Sequence, residues 1–413
     1  RLLVASDRER DRAALVELDP ETGSEGAVMF EHPTAELTAL EYDHGGHTLV
    51  GVQYREAGEH RLHYFADAFA AERARIAERL PGRTIRVRST NADNSAIGFF
   101  AYADTDTGGF FLYDAETDTV REVGRVSTLL DSIEFGPTRR FVVRAEGGPE
   151  VEAFFTEPAR VEKVRAHWEE RVEPGKPPLV VVPHGGPIGV RDDVGFDPMV
   201  RLLAYYGYAV LQVNYRGSSG FGRAFREAGF GQMGTGIEDD VDAAFDHVIA
   251  QGWVDASRVA AIGGSYGGYS SLMSAIRHPE RFRCVVTLFG VTDLPLLFDN
   301  PNARLYDGTY EYVRRVAGDP TTDFDDLVHR SPVYRAADLE VPVFIVHGAK
   351  DVNVDVDHAY RLRVALARLG KPYRFRILRN LDHSYGGPKT AESIFGDVLR
   401  FLDEHMGPKA TPR

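Results

Sequence analysis

The segment AAIGGSYGGYSS, residues 260–271, places Ser265 between two pairs of glycines, directly after a run of small apolar residues. Glycine loses more backbone freedom on folding than any other residue, so glycines this dense mark a place where the chain needs unusual conformations. The preceding VAAI reads as a buried strand and the following YSSLMSAI as a helix, which makes Gly263, Ser265 and Gly267 a G-x-S-x-G turn between them. Small residues two before and two after the serine let the chain bend sharply, and the helix offers free N–H groups to a developing anion. Two readings stand at this point. In one the turn exposes a nucleophilic hydroxyl; in the other it is a glycine-rich turn with Ser265 as a helix N-cap.

A serine hydroxyl needs a base to become a nucleophile, and the base needs a carboxylate to orient it. From Leu179 onward, apolar strands alternate with helices: LVVVPHGG, a helix around Met199 to Tyr206, YAVLQVNY, a long helix, RVAAIGGS, another helix, RCVVTLFG, VPVFIVHG, a helix to Leu369, YRFRILRN and a closing helix. Ile237, Val241, Ala244, Phe245, Val248 and Ile249 fall on one helical stripe, and near-continuous apolar strands predict a mostly parallel sheet covered on both faces. Functional groups gather at the carboxyl ends of such strands. Asp351 follows VPVFIVHG and His383 follows YRFRILRN, each just past a strand as Ser265 is, in the chain order Ser, Asp, His of an α/β-hydrolase. Asp355 and Asp357 belong in or beside the next helix, Asp382 adjoins the histidine, His347 belongs to a strand, and His278 reads as a helix end.

Residues 1 to about 135 have a different texture. LLVAS, ALVELD, TALEYD, TLVGVQY, HRLHYF, IGFFAY and FFLYD read as short strands, broken by the turns DPETGS, DHGG, EAGE and DAETD, so this part is expected to be all β. Asp19, Asp67 and Asp114 each follow a strand at intervals of 48 and 47 residues, while Val4, Val50 and Gly98 mark earlier strands at 46 and 48. A period of about 47 with several strands per unit fits the blade of a β-propeller. About three units are present where closed propellers have about four to eight, so either blades before Arg1 are missing or the stack closes some other way. Between 136 and 178 a hairpin, RRFVVRAEGGPEVEAFFTEP, leads to a helical ARVEKVRAHWEERVE that PGKPP ends. The expected domains are 1–135, a connecting 136–178, and 179–413.

Composition bounds the function. The 413 residues carry a net charge of −14, with Lys and Arg scattered, which excludes the basic patches of nucleic-acid or anionic-membrane binding. No apolar run reaches the roughly 18 to 20 residues of a membrane span. The single Cys284, in CVVTLF, allows no internal disulfide and reads as a small buried hydrophobe. A soluble protein is expected, cytoplasmic or, if a leader was removed ahead of Arg1, periplasmic or extracellular; a homo-oligomer is left open.

Several segments together carry a resemblance: PHGGP at 183–187, NYRGSSGFG at 214–222, GTGIEDDVDAA at 234–244, GGSYGGY at 263–269, RSPVY at 330–334, HGAKDVNV at 347–354 and the terminal LDHSYGG. In their order and spacing the chain resembles the prolyl oligopeptidase family of serine peptidases over most of residues 140 to 405, closest in pattern to its acylaminoacyl-peptidase and dipeptidyl-peptidase branches. The resemblance implies a propeller preceding an α/β-hydrolase domain, with short peptides as substrates. It implies that the N–H groups of Tyr266 and Gly186 form the oxyanion hole. It implies that Asn353, two residues after the aspartate, holds a substrate carbonyl as in dipeptidyl peptidases, where many acylaminoacyl-type members carry Arg. It also places the primary specificity pocket in FGVTDLPLLFD, 289–299, so Leu294, Leu297 and Phe298 are expected to make it apolar, with plain core packing as the alternative.

NYRGSSGFG resembles a dinucleotide-binding turn but lacks a ribose-binding acid after the next strand, and neither G-K-[ST] nor H-E-x-x-H nor a Cys pair occurs. Chemistry without metal or cofactor is expected. The expected function is hydrolysis of short peptides, releasing acyl-amino acids or N-terminal residues through a Ser265–Asp351–His383 acyl-enzyme mechanism. A carboxylesterase with the same residues, and an inactive peptide-binding protein, are the alternatives.

Overall fold

The structure, a computed structural model, describes residues 2–43, 48–130, 132–160, 176–300 and 304–407. The DHGG turn, from its second residue, and the helix expected over 159–173, from its third, lie outside the described residues. The chain divides into two compact units, one of Arg1–Thr138 with Asp193–Arg201 and Gly220–Ala224, the other of Arg139–Asp192, Leu202–Ser219 and Phe225–Arg413.

Among the described residues the first unit holds three antiparallel sheets in chain order. They are β1 (Leu2–Ser6), β2 (Ala14–Leu18) and β3 (Glu25–Phe30); β4 (Leu37–Tyr42), β5 (Leu49–Glu56) and β6 (Glu59–Tyr64); and β7 (Thr84–Thr90), β8 (Ala96–Ala103), β9 (Asp106–Asp114) and β10 (Thr119–Arg125). Val4, Val50 and Gly98 stand on the first strands of the hairpins β1–β2, β5–β6 and β8–β9, so one repeat of about 47 residues corresponds to one sheet. The aspartate closing the hairpin has a local job. Asp19 Oδ1 accepts the N–H groups of Glu21 at 2.9 Å and Thr22 at 3.3 Å, and Asp114 Oδ1 those of Glu116 and Thr117 at 3.0 Å, in matching Asx turns. Asp67 instead opens a helix, α1 (Asp67–Arg79), which the strand reading did not include. Its sequence, DAFAAERARIAER, is rich in strong helix formers and buries only Ile76, so it carries little apolar periodicity. Ile97, Phe99 and Ala101 alternate inward along β8 and pack with Ile76, Phe111 and Tyr113.

The second unit is built on an eight-stranded sheet of order β11-β12-β14-β13-β15-β16-β17-β18. Its strands are β11 (Thr138–Arg144), β12 (Glu150–Thr156), β13 (Leu179–Val181), β14 (Ala209–Asn214), β15 (Val259–Gly264), β16 (Cys284–Leu288), β17 (Val343–Gly348) and β18 (Tyr373–Leu378). From β14 and β13 through β18 every pairing is parallel; β12 joins β14 antiparallel, so the expected hairpin RRFVVRAEGGPEVEAFFTEP, residues 139–158, extends the sheet. This is the α/β-hydrolase architecture, preceded by a β unit. Strands β14, β16 and β17 are buried at every position, because helices cover both faces. On α2 (Gly236–Ala250) the expected stripe is buried at Ile237, Val241, Ala244, Phe245 and Val248, with Ile249 packed beside it. The helices α3 (Tyr266–Arg277), α4 (Asp307–Ala317), α5 (Asp357–Arg368) and α6 (Pro388–Met406) complete the layers. Short loops leaving β13, β15, β17 and β18 at their carboxyl ends then carry the candidate residues to one edge.

Candidate active site

Ser265 sits between β15 and α3 with φ 58° and ψ −124°, a conformation that costs a non-glycine residue on the order of 1–3 kcal/mol. The turn around it is too tight for side chains at its flanks. A Cβ on Gly263 would overlap the backbone of Gly267, and one on Gly267 would overlap the carbonyl of Pro183. Ser265 N–H donates to the Leu288 carbonyl at 3.0 Å, tying the turn to β16. Its hydroxyl makes no capping bond to α3, so the N-cap reading does not describe this turn.

The loops after β17 and β18 are pressed together. A Cβ on Gly348 would collide with the carbonyl of Leu381, and Lys350 N–H donates to that carbonyl at 2.9 Å. Asp351 and His383, 32 residues apart, thereby meet: Nδ1 of His383 lies 2.7 Å from Oδ2 of Asp351. A carboxylate only accepts, so Nδ1 carries a proton, which in the neutral imidazole leaves Nε2 as the acceptor. Oδ1 of Asp351 accepts the N–H groups of Asn353 and Val354, both at 2.9 Å. Burial would raise the Asp351 carboxyl, but hydrogen bonds from His347, His383 and Val354 outweigh it and hold the group well below the ordinary carboxylate range. His347, a strand residue as expected, is buried with Nε2 at 2.9 Å from the Val354 carbonyl and 3.4 Å from Asp351 Oδ2. Phe289 packs its ring edge to face on His383, centroids 4.8 Å apart. Asp355 accepts the Asp357 N–H at the start of α5, and His278 closes α3 with its N–H on the Ser274 carbonyl, so both have local roles.

Gly186, Ser265, Tyr266, Leu297, Asn353 and His383 line one cavity of about 340 Å³. Met233, Val291, Tyr312, Val313 and Val316 form much of the remaining wall, and no Lys, Arg, Asp or Glu lines it among the described residues. Two expected pocket residues are elsewhere. Leu294 is fully buried in the core and Phe298 nearly so, packed on Tyr310 at 5.4 Å between centroids, so of the three only Leu297 reaches the cavity. The apolar positions next to them are claimed by the core because the single turn Pro295–Asp299 lies between cavity and interior. Helix α4, which supplies Tyr312, Val313 and Val316, was missed in the sequence; its signal is an amphipathic DGTYEYVRRVA that lacks any side-chain cap.

The loop bearing Gly186 is held from both ends. Behind it His184 stacks on Tyr215, centroids 4.2 Å apart, with Nε2 3.0 Å from Ser218 Oγ; burial pushes this imidazole down to about 4 against the opposing bond to the Gly185 carbonyl. At its far end Arg191 pairs with the buried Glu152 at 3.0 Å, and Asp192 N–H donates to Asn214 Oδ1 at 2.7 Å. Tyr266 is anchored separately, its hydroxyl donating to Glu238 Oε1 at 2.8 Å. Gly186 on an anchored loop, Tyr266 at the start of α3, the Ser265 turn and an oriented imidazole thus share one cavity, a set of groups suited to acyl transfer.

A model of the prolyl oligopeptidase family matches residues 194–409. The chain is 33% identical over 237 residues to dipeptidyl aminopeptidase BIII of Pseudoxanthomonas mexicana, covering 57% of this chain and 34% of that protein. It is 26% identical over 255 residues to an acylamino-acid-releasing enzyme of Arabidopsis thaliana, covering 59% of this chain and 32% of that one. Among solved structures, a Mycobacterium tuberculosis puromycin-hydrolyzing peptidase superposes with a TM-score of 0.81 at 22% identity, over 100% of this chain and 61% of that one. A Pyrococcus horikoshii acylaminoacyl peptidase gives 0.74 at 17%, over 98% and 60%. The chain thus spans about a third of the length of these curated relatives and about three fifths of these solved chains. No helix among the described residues is long and apolar enough to cross a membrane.

Proposed function

The chain belongs to the prolyl oligopeptidase family, and from that premise we propose that it is a serine peptidase of short peptides. Ser265 Oγ attacks the substrate carbonyl while Nε2 of His383 takes its proton. The oxygen becomes an oxyanion between the N–H groups of Tyr266 and Gly186. His383 then gives the proton to the leaving amine, the C–N bond breaks, and an acyl-Ser265 ester remains. Water, deprotonated by the same imidazole, releases the acyl group and restores Ser265. Asp351 orients the imidazole and stabilises its charged form throughout. The observation that carries the reading is the pairing of His383 with an ionised Asp351 in the wall of the cavity that Ser265 enters on a strained turn.

The substrate's residue before the scissile bond is apolar. A charged side chain in a wall of Met, Val, Leu and Tyr would lose its hydration without a partner, at a cost of several kcal/mol. Asn353, also in the wall, holds a substrate carbonyl, and the products are acyl-amino acids or N-terminal residues. Sequencing the products of a mixed peptide pool by mass spectrometry tests this. Cleavage after apolar residues near blocked or free N-termini is expected, with turnover lost by about 10⁵ or more in Ser265→Ala. Cleavage that survives Ser265→Ala, or esters hydrolysed with every peptide untouched, would refute it.

A further inference from the structure

Glu238 has no part in the mechanism above, yet its carboxylate is buried and bonded on both oxygens. It lies in the first turn of α2, where Oε1 accepts the Tyr266 hydroxyl at 2.8 Å and Oε2 accepts the Gly234 N–H at 2.6 Å. Those two partners belong to different parts of the cavity. Tyr266 follows Ser265 and lines the cavity, and Gly234 adjoins Met233 in the wall. We propose that Glu238 is a positioning residue that holds the oxyanion donor of Tyr266 and the Met233 wall in register, and that this hold is at full strength only while its carboxylate is ionised. The proposal rests on the reading of Tyr266 as an oxyanion donor.

The chemistry of the contact supplies the switch. A carboxylate accepts from both at once with charge-assisted bonds; in a neutral carboxyl one oxygen carries a proton, so either the Gly234 N–H faces that hydroxyl or the Tyr266 hydroxyl turns round to accept from it, and the charge assistance is lost either way. The surroundings bring that proton into the neutral range. Burial raises the Glu238 carboxyl to about 7, against the lowering effect of the Tyr266 hydroxyl, Ser270, Arg277 and the Gly234 N–H. Tyr269 on α3 and Tyr215 after β14 also face it. Arg277 is shared with Asp239 and Asp242, and Arg216 is bonded through two nitrogens to Asp240, so neither is dedicated to Glu238. Tyr266 and Tyr269 are pushed well above the usual phenol range by burial and stay protonated throughout.

The test measures kcat and KM for a chromogenic peptide anilide between pH 5 and 9 in the whole protein, as wild type, Glu238→Gln, Tyr266→Phe and the double variant. Each single variant is expected to lose about tenfold in kcat, less than the roughly 10²–10³ of a deleted oxyanion donor, with KM changed by less than about twofold. The double variant should be no slower than either single one. Wild-type kcat should carry two ionisations on its acid side and Glu238→Gln one. Unchanged kcat with an unchanged profile, a loss confined to KM, or additive losses would overturn the proposal. If Glu238→Gln fails to fold, Tyr266→Phe removes the same contact from the other side, and unchanged kcat there overturns it equally. Wild type that turns over the anilide through Ser265 while Glu238→Gln matches it sinks this inference alone; wild type without Ser265-dependent turnover sinks the reading beneath it.

Discussion

Two buried carboxylates, Asp351 and Glu238, are driven in opposite directions. Four hydrogen-bond contacts from two imidazoles and two backbone N–H groups keep Asp351 ionised. Its stabilising effect is therefore present above the unfolded carboxyl's value near 3.8 and is lost as the pH falls through its lower folded value. Asp351→Asn removes that effect and also presents Nδ1 of His383 with an amide, which favours the wrong tautomer. Its kcat is expected to fall by about 10⁴, and its Tm deficit against wild type should shrink in melts taken below about pH 4. A deficit independent of pH would contradict the assignment. Glu238 behaves with the reverse sign. Its folded value is raised to about 7 from 4.5, so its contribution is complete below 4.5 and is lost as the pH rises through 7. The Tm of Glu238→Gln minus that of wild type is expected to increase between pH 5 and 8, stability set against function at one position.

At the level of elements, the wall of the cavity depends on α4, whose inward face carries Tyr312, Val313 and Val316. Val313→Trp adds bulk to that wall. Its kcat/KM is expected to drop at least tenfold for peptides with Phe before the scissile bond while changing less than about threefold for Ala; equal losses would move the pocket elsewhere. The parallel strands were plain in the sequence because burial on both faces makes them continuous apolar runs, as in VPVFIV. The turn at Ser265 was plain because no side chain fits at Gly263 or Gly267. Helices α1 and α4 were not, since DAFAAERARIAER and DGTYEYVRRVA are half polar and neither opens with a capping side chain. The strands β3, β7 and β10 escaped for a related reason: EGAVMF, TIRVRST and TVREVGR have no fully buried position, so pairing with a neighbour rather than burial makes them strands. Leu294 and Phe298 were misplaced because an apolar segment between cavity and core does not say which residue faces which.

Across the whole molecule, the sequence period of about 47 marked the sheets of the first unit, and the order Ser, Asp, His marked the fold of the second. What joined distant positions was less visible. The approach of the loops at Gly348 and Leu381, and the burial of Glu238 beneath Tyr266, arise from packing between elements far apart in sequence. Cys284 offers a view of the second unit as a whole, for it is fully buried in β16 at the interior of the sheet and burial pushes its thiol far up. Its reaction with a thiol reagent is expected to track global opening, with the same denaturant dependence as unfolding followed by circular dichroism. Reaction at native rates independent of denaturant would show a local route to it.

The central claim is that Ser265 is a nucleophile activated by His383. Its most direct test is mass spectrometry of the folded protein after treatment with a serine-reactive phosphonate. One adduct per chain on Ser265 is predicted, abolished by Ser265→Ala and slowed at least a hundredfold by His383→Ala. An unlabelled Ser265 in wild type, or labelling at the same rate without the imidazole, would contradict the account.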